Sequence, residues 1–382
     1  MPATGTLPLI ELAAPTLGEA ERRALAEVIT SGWLTMGERV RAFETAFAQL
    51  HGVPDAVAVS SATAALHLAL AAHDIGPGAE VLVPSMTFVA TVNAVVAVGA
   101  TPVFVDVVAP DTPHLDLADA RRRLTSRTRA VIVMPFGGYA MDLAPWRAFA
   151  DEHGLTVVED AAHCAGTAAP TGVLGPAAFS FFTNKNMTTA EGGMLLVPDP
   201  ERRERARRMR AHGMTASTLD RDRGRAVGYD VVECGHNFRM DELRGALGLV
   251  QLERLPAWNG RRRELSAHYR AALAAELPAV TVPFAADHPT TAHLLPVLLP
   301  AGTDRAAVMA ALRAAGVQSS VHYPPVHLFT AYRGTDGDAE LPRTTEFGAR
   351  ELTLPLHPSL TTADVDRVVD SLRNALAGAG RH

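Results

Sequence analysis

The chain reads as an α/β protein. A large domain over 1–258 is built on a mainly parallel seven-stranded sheet with helices on both faces, and a smaller α+β domain follows over 259–382. Three observations predict this. Short apolar, β-branched runs alternate with helical stretches through the first two hundred or so residues, as a buried parallel sheet requires. After about Trp258 the alternation gives way to a few strands and helices in a different order. The 382 residues are 48% hydrophobic, enough to bury the cores of two domains.

The strands are expected over 56–59, 80–84, 102–107, 129–134, 156–159, 178–182 and 194–197. Helices are expected between them at 62–72, 87–98, 116–124 and 142–153, several stopped by Gly or Pro. A long helix from Asp241 carries Leu243, Leu247 and Val250 on one face and should end at Pro256, which lacks an amide proton. Beyond it, strands are expected at 280–284, 293–299 and 317–323, with a helix at 304–315 stopped by Gly316. A last helix from Ala363 aligns Val365, Val368, Val369, Leu372 and Leu376 after a Thr361-Thr362 cap.

The formal charge of −6 gives no concentrated positive field, so neither nucleic acid nor membrane is expected as a partner. Nine arginines between Arg202 and Arg225 read either as a solvated helix followed by a loop or as an anion-facing wall at a subunit interface. The two cysteines, Cys164 and Cys234, form neither a disulfide framework nor a metal motif, so no metal is expected and a reducing compartment fits. The first fifteen residues lack a basic segment and a continuous apolar run, and the apolar segment 88–105 is broken by Asn93, Gly99 and Pro102. A cytoplasmic protein is expected.

Lys185 is the single lysine among 35 Lys and Arg residues. Guanidinium stays charged, whereas a desolvated ε-amine becomes a neutral nucleophile, so Lys185 is a candidate Schiff-base residue. It leaves an apolar strand in Phe179-Ser180-Phe181-Phe182-Thr183-Asn184-Lys185-Asn186. An aldehyde cofactor with a phosphate, pyridoxal 5′-phosphate, requires three further parts. A carboxylate must pair with the pyridinium, and Asp160 in Glu159-Asp160-Ala161-Ala162-His163 ends a strand, although such a pair also caps helices. A phosphate cradle is offered by Ser60-Ser61-Ala62-Thr63-Ala64 at a helix start, where ordinary capping is the alternative, and Ser180 could add a hydroxyl. A flat wall is offered by Phe88, which could equally be core.

Together these segments resemble the DegT/DnrJ/EryC1/StrS aminotransferases, the sugar-aminotransferase branch of the fold-type I pyridoxal-phosphate enzymes. The resemblance also includes Ser31-Gly32-Trp33-Leu34-Thr35-Met36-Gly37, Gly235-His236-Asn237-Phe238-Arg239-Met240 and His322-Tyr323-Pro324-Pro325-Val326-His327, so it runs nearly end to end. It implies that Lys185 binds the cofactor aldehyde and moves the proton, and that Asp160 holds the pyridinium. His163 would lie beside the ring, Phe88 would stack on it, and Ala62, Thr63 and Ser180 would hold the phosphate. Asn237 would reach the neighbouring subunit's phosphate, making a homodimer with shared sites, with Arg239 nearby. Trp33, Thr35, His322 and His327 would face the acceptor. The implied reaction takes an amino group from L-glutamate or L-glutamine, holds it as pyridoxamine 5′-phosphate, and passes it to a keto-sugar, expected to be nucleotide-linked. Keto-cyclitols, a lyase, cyclase or dehydratase reaction, and a non-enzymatic regulator are the alternatives. Family dehydratases carry His at the lysine position, so Lys185 favours transamination.

Overall fold

The computed structural model describes residues 8–334 and 340–379. Residues 1–7 of the segment read for a leader lie outside them. Each of the seven expected strands of the large sheet forms, with ends displaced by no more than two residues. They are β1 (Ala56–Val59), β2 (Glu80–Pro84), β3 (Thr101–Val105), β6 (Thr128–Val133), β7 (Thr156–Asp160), β8 (Ala177–Ser180) and β9 (Gly193–Leu196), with the small hairpin β4 (Val107–Ala109) and β5 (Thr112–Leu115) between β3 and β6. Their spatial order is β1-β9-β8-β7-β6-β2-β3. The pairs β7–β8, β6–β7, β2–β6 and β2–β3 are parallel, and β9 runs antiparallel to both β1 and β8. Parallel pairing demands crossovers, and these place helices on both faces. One face buries Leu66, Leu70, Val83 and Ile132. The opposite side packs Phe43, Phe47 and Phe179 near one edge, and Leu82, Val131 and Phe149 near the other. Each fully buried side chain of this kind contributes about 1.5–3 kcal/mol.

The strand expected to reach residue 107 stops at Val105. The Asp106 carboxylate accepts the N–H of Val107 at 2.9 Å and the N–H and hydroxyl of Thr344 at 2.8 and 2.7 Å, which turns the chain into the β4–β5 hairpin.

The expected helix end at Pro256 is overturned. One helix runs from Glu242 to Glu276 through it, and the expected domain boundary at 258 falls inside this helix. Its first half packs Leu252 and Leu255 against the large sheet, while Leu265, Tyr269 and Leu273 join the core of the smaller unit. Burial on both sides of an exposed Pro256 outweighs the roughly 3 kcal/mol that an interior proline costs.

The smaller unit keeps two paired strands, β10 (Leu295–Leu298) and β11 (Glu351–Leu354), covered by the helices Arg305–Ala314 and Thr362–Ala379. The strands expected at 280–284 and 317–323 shrink to isolated bridges, Thr281 to Leu298, Val317 to Ile10 and Ser320 to Thr353. Pro283 has no N–H to pair, and Phe284 takes a left-handed conformation with φ 63°. At His322 the backbone N–H bonds the Glu351 carboxylate at 2.8 Å rather than a strand. No helix among the described residues is long and apolar enough to cross a membrane.

Candidate active site

The parallel strands point their C-terminal ends at one rim, where open α/β sheets hold their ligands. A cavity of about 400 Å³ opens there, lined by residues that follow β1, β2, β6, β7 and β8 and precede β9. Lys185 lines it, held by the turn in which its N–H bonds the Phe182 carbonyl at 2.9 Å. Burial pushes its amine down to about 8, against the opposing charge of Asp160.

Asp160 is the last residue of β7 and is buried. Its Oδ2 accepts the Thr91 hydroxyl at 2.5 Å and its Oδ1 the Ala162 N–H at 3.2 Å. Because Thr91 donates to Asp160, it accepts from the Thr87 hydroxyl at 2.7 Å. Burial pushes the Asp160 carboxyl above its ordinary pKa, and these donors and Lys185 oppose the rise. Such a carboxylate favours a buried cation as partner. Its neighbour Glu159 alternates to the other side, accepts the Gly172 N–H at 2.8 Å and does not line the cavity.

The helix Ala62–Ala72 begins at the same rim. Ser61 caps it by accepting the Ala64 N–H at 3.1 Å, and Ser61, Ala62 and Thr63 line the cavity. The orphan N–H groups of the first turn and the positive end of the helix suit an anion there. Gly193 permits the close approach of β9, since a Cβ would lie 2.5–2.7 Å from backbone atoms of Ser61 and Ala62. Ser180 lines the same end.

His163 is buried and neutral. Its Nδ1 accepts the Gly137 N–H at 3.2 Å, so the proton sits on Nε2, which donates to the Tyr323 hydroxyl at 3.0 Å. Burial, then the charge of Lys185, hold its basicity well below the ordinary value. Phe88 is 56% exposed at the rim, with its ring 5.8 Å from that of Tyr323. His322 lines the cavity and bonds the Thr353 hydroxyl through Nδ1 at 2.8 Å.

A model of the DegT/DnrJ/EryC1/StrS aminotransferase family matches residues 15–373. The chain belongs to this family. It is 38% identical over 377 residues to the spore coat polysaccharide biosynthesis protein SpsC of Bacillus subtilis, covering 96% of each chain. It superposes on the aminotransferase TlmJ of Streptoalloteichus hindustanus with a TM-score of 0.89 and 35% identity, over 97% of this chain and 99% of that one. Spr1654 of Streptococcus pneumoniae, a candidate sugar aminotransferase solved in PLP and PMP forms, gives a TM-score of 0.88 at 28% identity over 97% of this chain, and covers 99% and 98% of its own.

The cavity fits the cofactor that these family members bind. It offers a depressed amine, a buried carboxylate short of a cation, and a helix start ready for phosphate. Asn184, also in the wall, keeps a buried side-chain oxygen that no described residue bonds. Among the described residues no cluster of His, Cys, Asp and Glu could hold a metal.

Of the residues singled out in the sequence, Lys185, Asp160, Ala62, Thr63, Phe88, His163, Ser180 and His322 line this one cavity. Five others do not. Trp33 lines a separate cleft with Arg39, Arg223 and Glu242, and Thr35 is exposed. The turn that carries both is fixed by Glu242, whose carboxylate accepts the N–H groups of Gly37, Arg39 and Val40. His327 faces another cavity and is tied to Ser85, its Nδ1 2.6 Å from the hydroxyl. Asn237 is exposed and Arg239 half-buried, on a segment that bridges to Ala211 and Val59. All nine arginines of 202–225 have partners inside the chain. Arg210 bonds Glu44 at 2.6 Å, for example, Arg207 bonds Asp55 at 2.9 Å, and Arg221 lies over the Tyr229 ring. The compensating carboxylates favour the solvated-helix reading over an anion wall.

Thr91, Tyr323 and Asn184 belong to the site but have no assigned role in the sequence reading. Tyr323 and Asn184 stand beside His322 and Lys185, so adjacency was a usable signal. Thr91 carries none, because a threonine in an apolar helix reads as core.

Proposed function

We propose that this chain transfers an amino group from L-glutamate or L-glutamine to a keto-sugar, most simply one carried on a nucleotide, using pyridoxal 5′-phosphate and its pyridoxamine 5′-phosphate form. One observation carries the reading: Lys185 and Asp160 share a single cavity with the start of the Ala62–Ala72 helix. The sugar acceptor is supported by the polysaccharide pathway named for SpsC and by the description of Spr1654.

The bound cofactor supplies an electron-withdrawing ring that stabilises negative charge at the substrate carbon. Lys185 holds its aldehyde and, with a basicity near about 8, both takes and returns a proton near neutral pH. Asp160, fixed by Thr91, keeps the ring nitrogen protonated. Ala62, Thr63 and Ser180 hold the phosphate, while Phe88 and His163 border the ring. Asn237 and Arg239, outside the cavity of their own chain, serve the site of a second copy in a homodimer. Trp33, Thr35 and His327 would likewise reach acceptor only through such an assembly.

The test is spectral. L-glutamate or L-glutamine should convert the Lys185-bound aldehyde absorption to that of the pyridoxamine form, and a keto-sugar from a panel that includes keto-cyclitols should reverse it. Lys185→Ala should lose the bound-aldehyde spectrum and slow transfer by about 10²- to 10⁴-fold. Failure of every amino donor with wild-type enzyme would refute the proposal.

A further inference from the structure

Behind the cavity, three side chains form a chain of hydrogen bonds. His322 Nδ1 lies 2.8 Å from the Thr353 hydroxyl, and that hydroxyl lies 2.5 Å from Glu351 Oε1. The other carboxyl oxygen of Glu351 accepts the His322 N–H at 2.8 Å. Glu351 is completely buried, and Thr353 nearly so.

The directions of these bonds are linked, because Thr353 has one proton. When Glu351 is ionised, Thr353 donates to it and accepts from His322 Nδ1–H, which leaves Nε2 a bare acceptor. When Glu351 is protonated the chain reverses. Thr353 then donates to Nδ1, and the histidine proton sits on Nε2.

We infer that Glu351, acting through Thr353, sets the tautomer of His322 and lets it take a proton from the ammonium group of the incoming amino donor. The N–H bond of the ammonium breaks and its proton goes to His322 Nε2. The Nδ1 proton passes to Thr353, and the Thr353 proton passes to Glu351. The products are a neutral amine, a neutral imidazole and a neutral carboxylic acid, and no charge is left on the ring. Burial supports this division of labour: it pushes His322 down to about 4, so a lasting imidazolium is disfavoured, and pushes Glu351 up to about 8. Glu351 faces Thr353, His322 and Tyr323, with Arg305 as the nearby cation. His322 faces Lys185, His163 and His293. Glu351 and Thr353 are positioning residues. Their part in the reaction rests on the transamination proposed above, whereas the tautomer does not.

The tautomer is read by NMR of the cofactor-free protein carrying ¹⁵N-labelled histidine. In wild type, His322 should change from Nδ1–H to Nε2–H as pH falls through about 8. Lys185 titrates in the same range, so Glu351→Gln, which retains Lys185, separates the two. Its amide must donate to Thr353, so Nε2–H should persist at every pH. Thr353→Ser should behave as wild type, and Thr353→Val should abolish the change. A wild-type tautomer that ignores pH, or a Glu351→Gln protein that still switches, overturns the inference, and the wild-type titration needs no variant to fold. In the loaded enzyme, the amino-donor half-reaction of Glu351→Gln should slow by about 10²-fold or more. An unchanged rate also overturns it. If no donor reacts even with wild type, transamination fails, while the NMR result still decides the relay.

Discussion

Thr91→Val tests whether Asp160 is a prepared partner for a ring cation. The change is nearly isosteric at a fully buried position, and it removes both hydrogen bonds of the Thr91 hydroxyl, the 2.5 Å bond to Asp160 Oδ2 and the one accepted from Thr87. A hydrogen bond to a charged group is worth about 1.5–3 kcal/mol. At about 1.4 kcal/mol per tenfold, the variant should bind pyridoxal 5′-phosphate roughly ten- to a hundredfold more weakly. Without the Thr91 donor the carboxyl titrates still higher, so the deficit should widen as pH falls. Titration of cofactor-free protein, followed by absorbance at several pH values, measures both effects. The variant also strands the buried Thr87 hydroxyl, which costs about 1–3 kcal/mol of stability. Adding Thr87→Val should restore stability without restoring affinity. Unchanged cofactor affinity in Thr91→Val, where Asp160→Ala loses it, would refute the reasoning.

Three further outcomes are expected. Because Lys185 is the only lysine, amine labelling of cofactor-free protein followed by peptide mapping, which sets aside the α-amino group, reports it alone; half-maximal reaction should fall near about pH 8, and Asp160→Asn should shift it lower by removing the charge that favours the ammonium. An ordinary lysine profile would exclude a desolvated amine. Glu159 is raised by burial to about 7, so the folded state holds an extra proton between its unfolded value near 4.5 and about 7, and its contribution to stability is lost as pH rises through that window. Glu159→Gln should therefore unfold at higher denaturant at about pH 8, by about 2–3 kcal/mol, with the gap closing near pH 5. Pro256→Ala, at an exposed position inside the long helix, should add about 1–3 kcal/mol in equilibrium denaturation, and a loss would mean that the ring is packed to advantage.

The seven large-sheet strands were legible because a strand buried on both faces must be apolar throughout, and such runs stand out between helical stretches. Lys185 and Asp160 were legible as candidates for chemical reasons: a lone lysine after an apolar strand offers the one neutral amine, and Asp160, which alone could have been a helix cap, gains its meaning from that lysine. The unbroken helix through Pro256 was not legible, since local propensity argues for a stop and only burial on both sides overrides it. The loss of the expected strand at 317–323 was equally hidden, because His322 gives its N–H to a carboxylate far along the chain.

The sequence by itself determined the fold class and the family, and it nominated the amine, the carboxylate and the helix start, because each depends on residue type and local order. Only the tertiary structure decided which of them share a cavity, that Thr91 braces Asp160, and that Trp33, Thr35, His327, Asn237 and Arg239 lie outside it. Those facts rest on distances between residues far apart in the chain, which the packing of sheet and helices sets and no local pattern encodes.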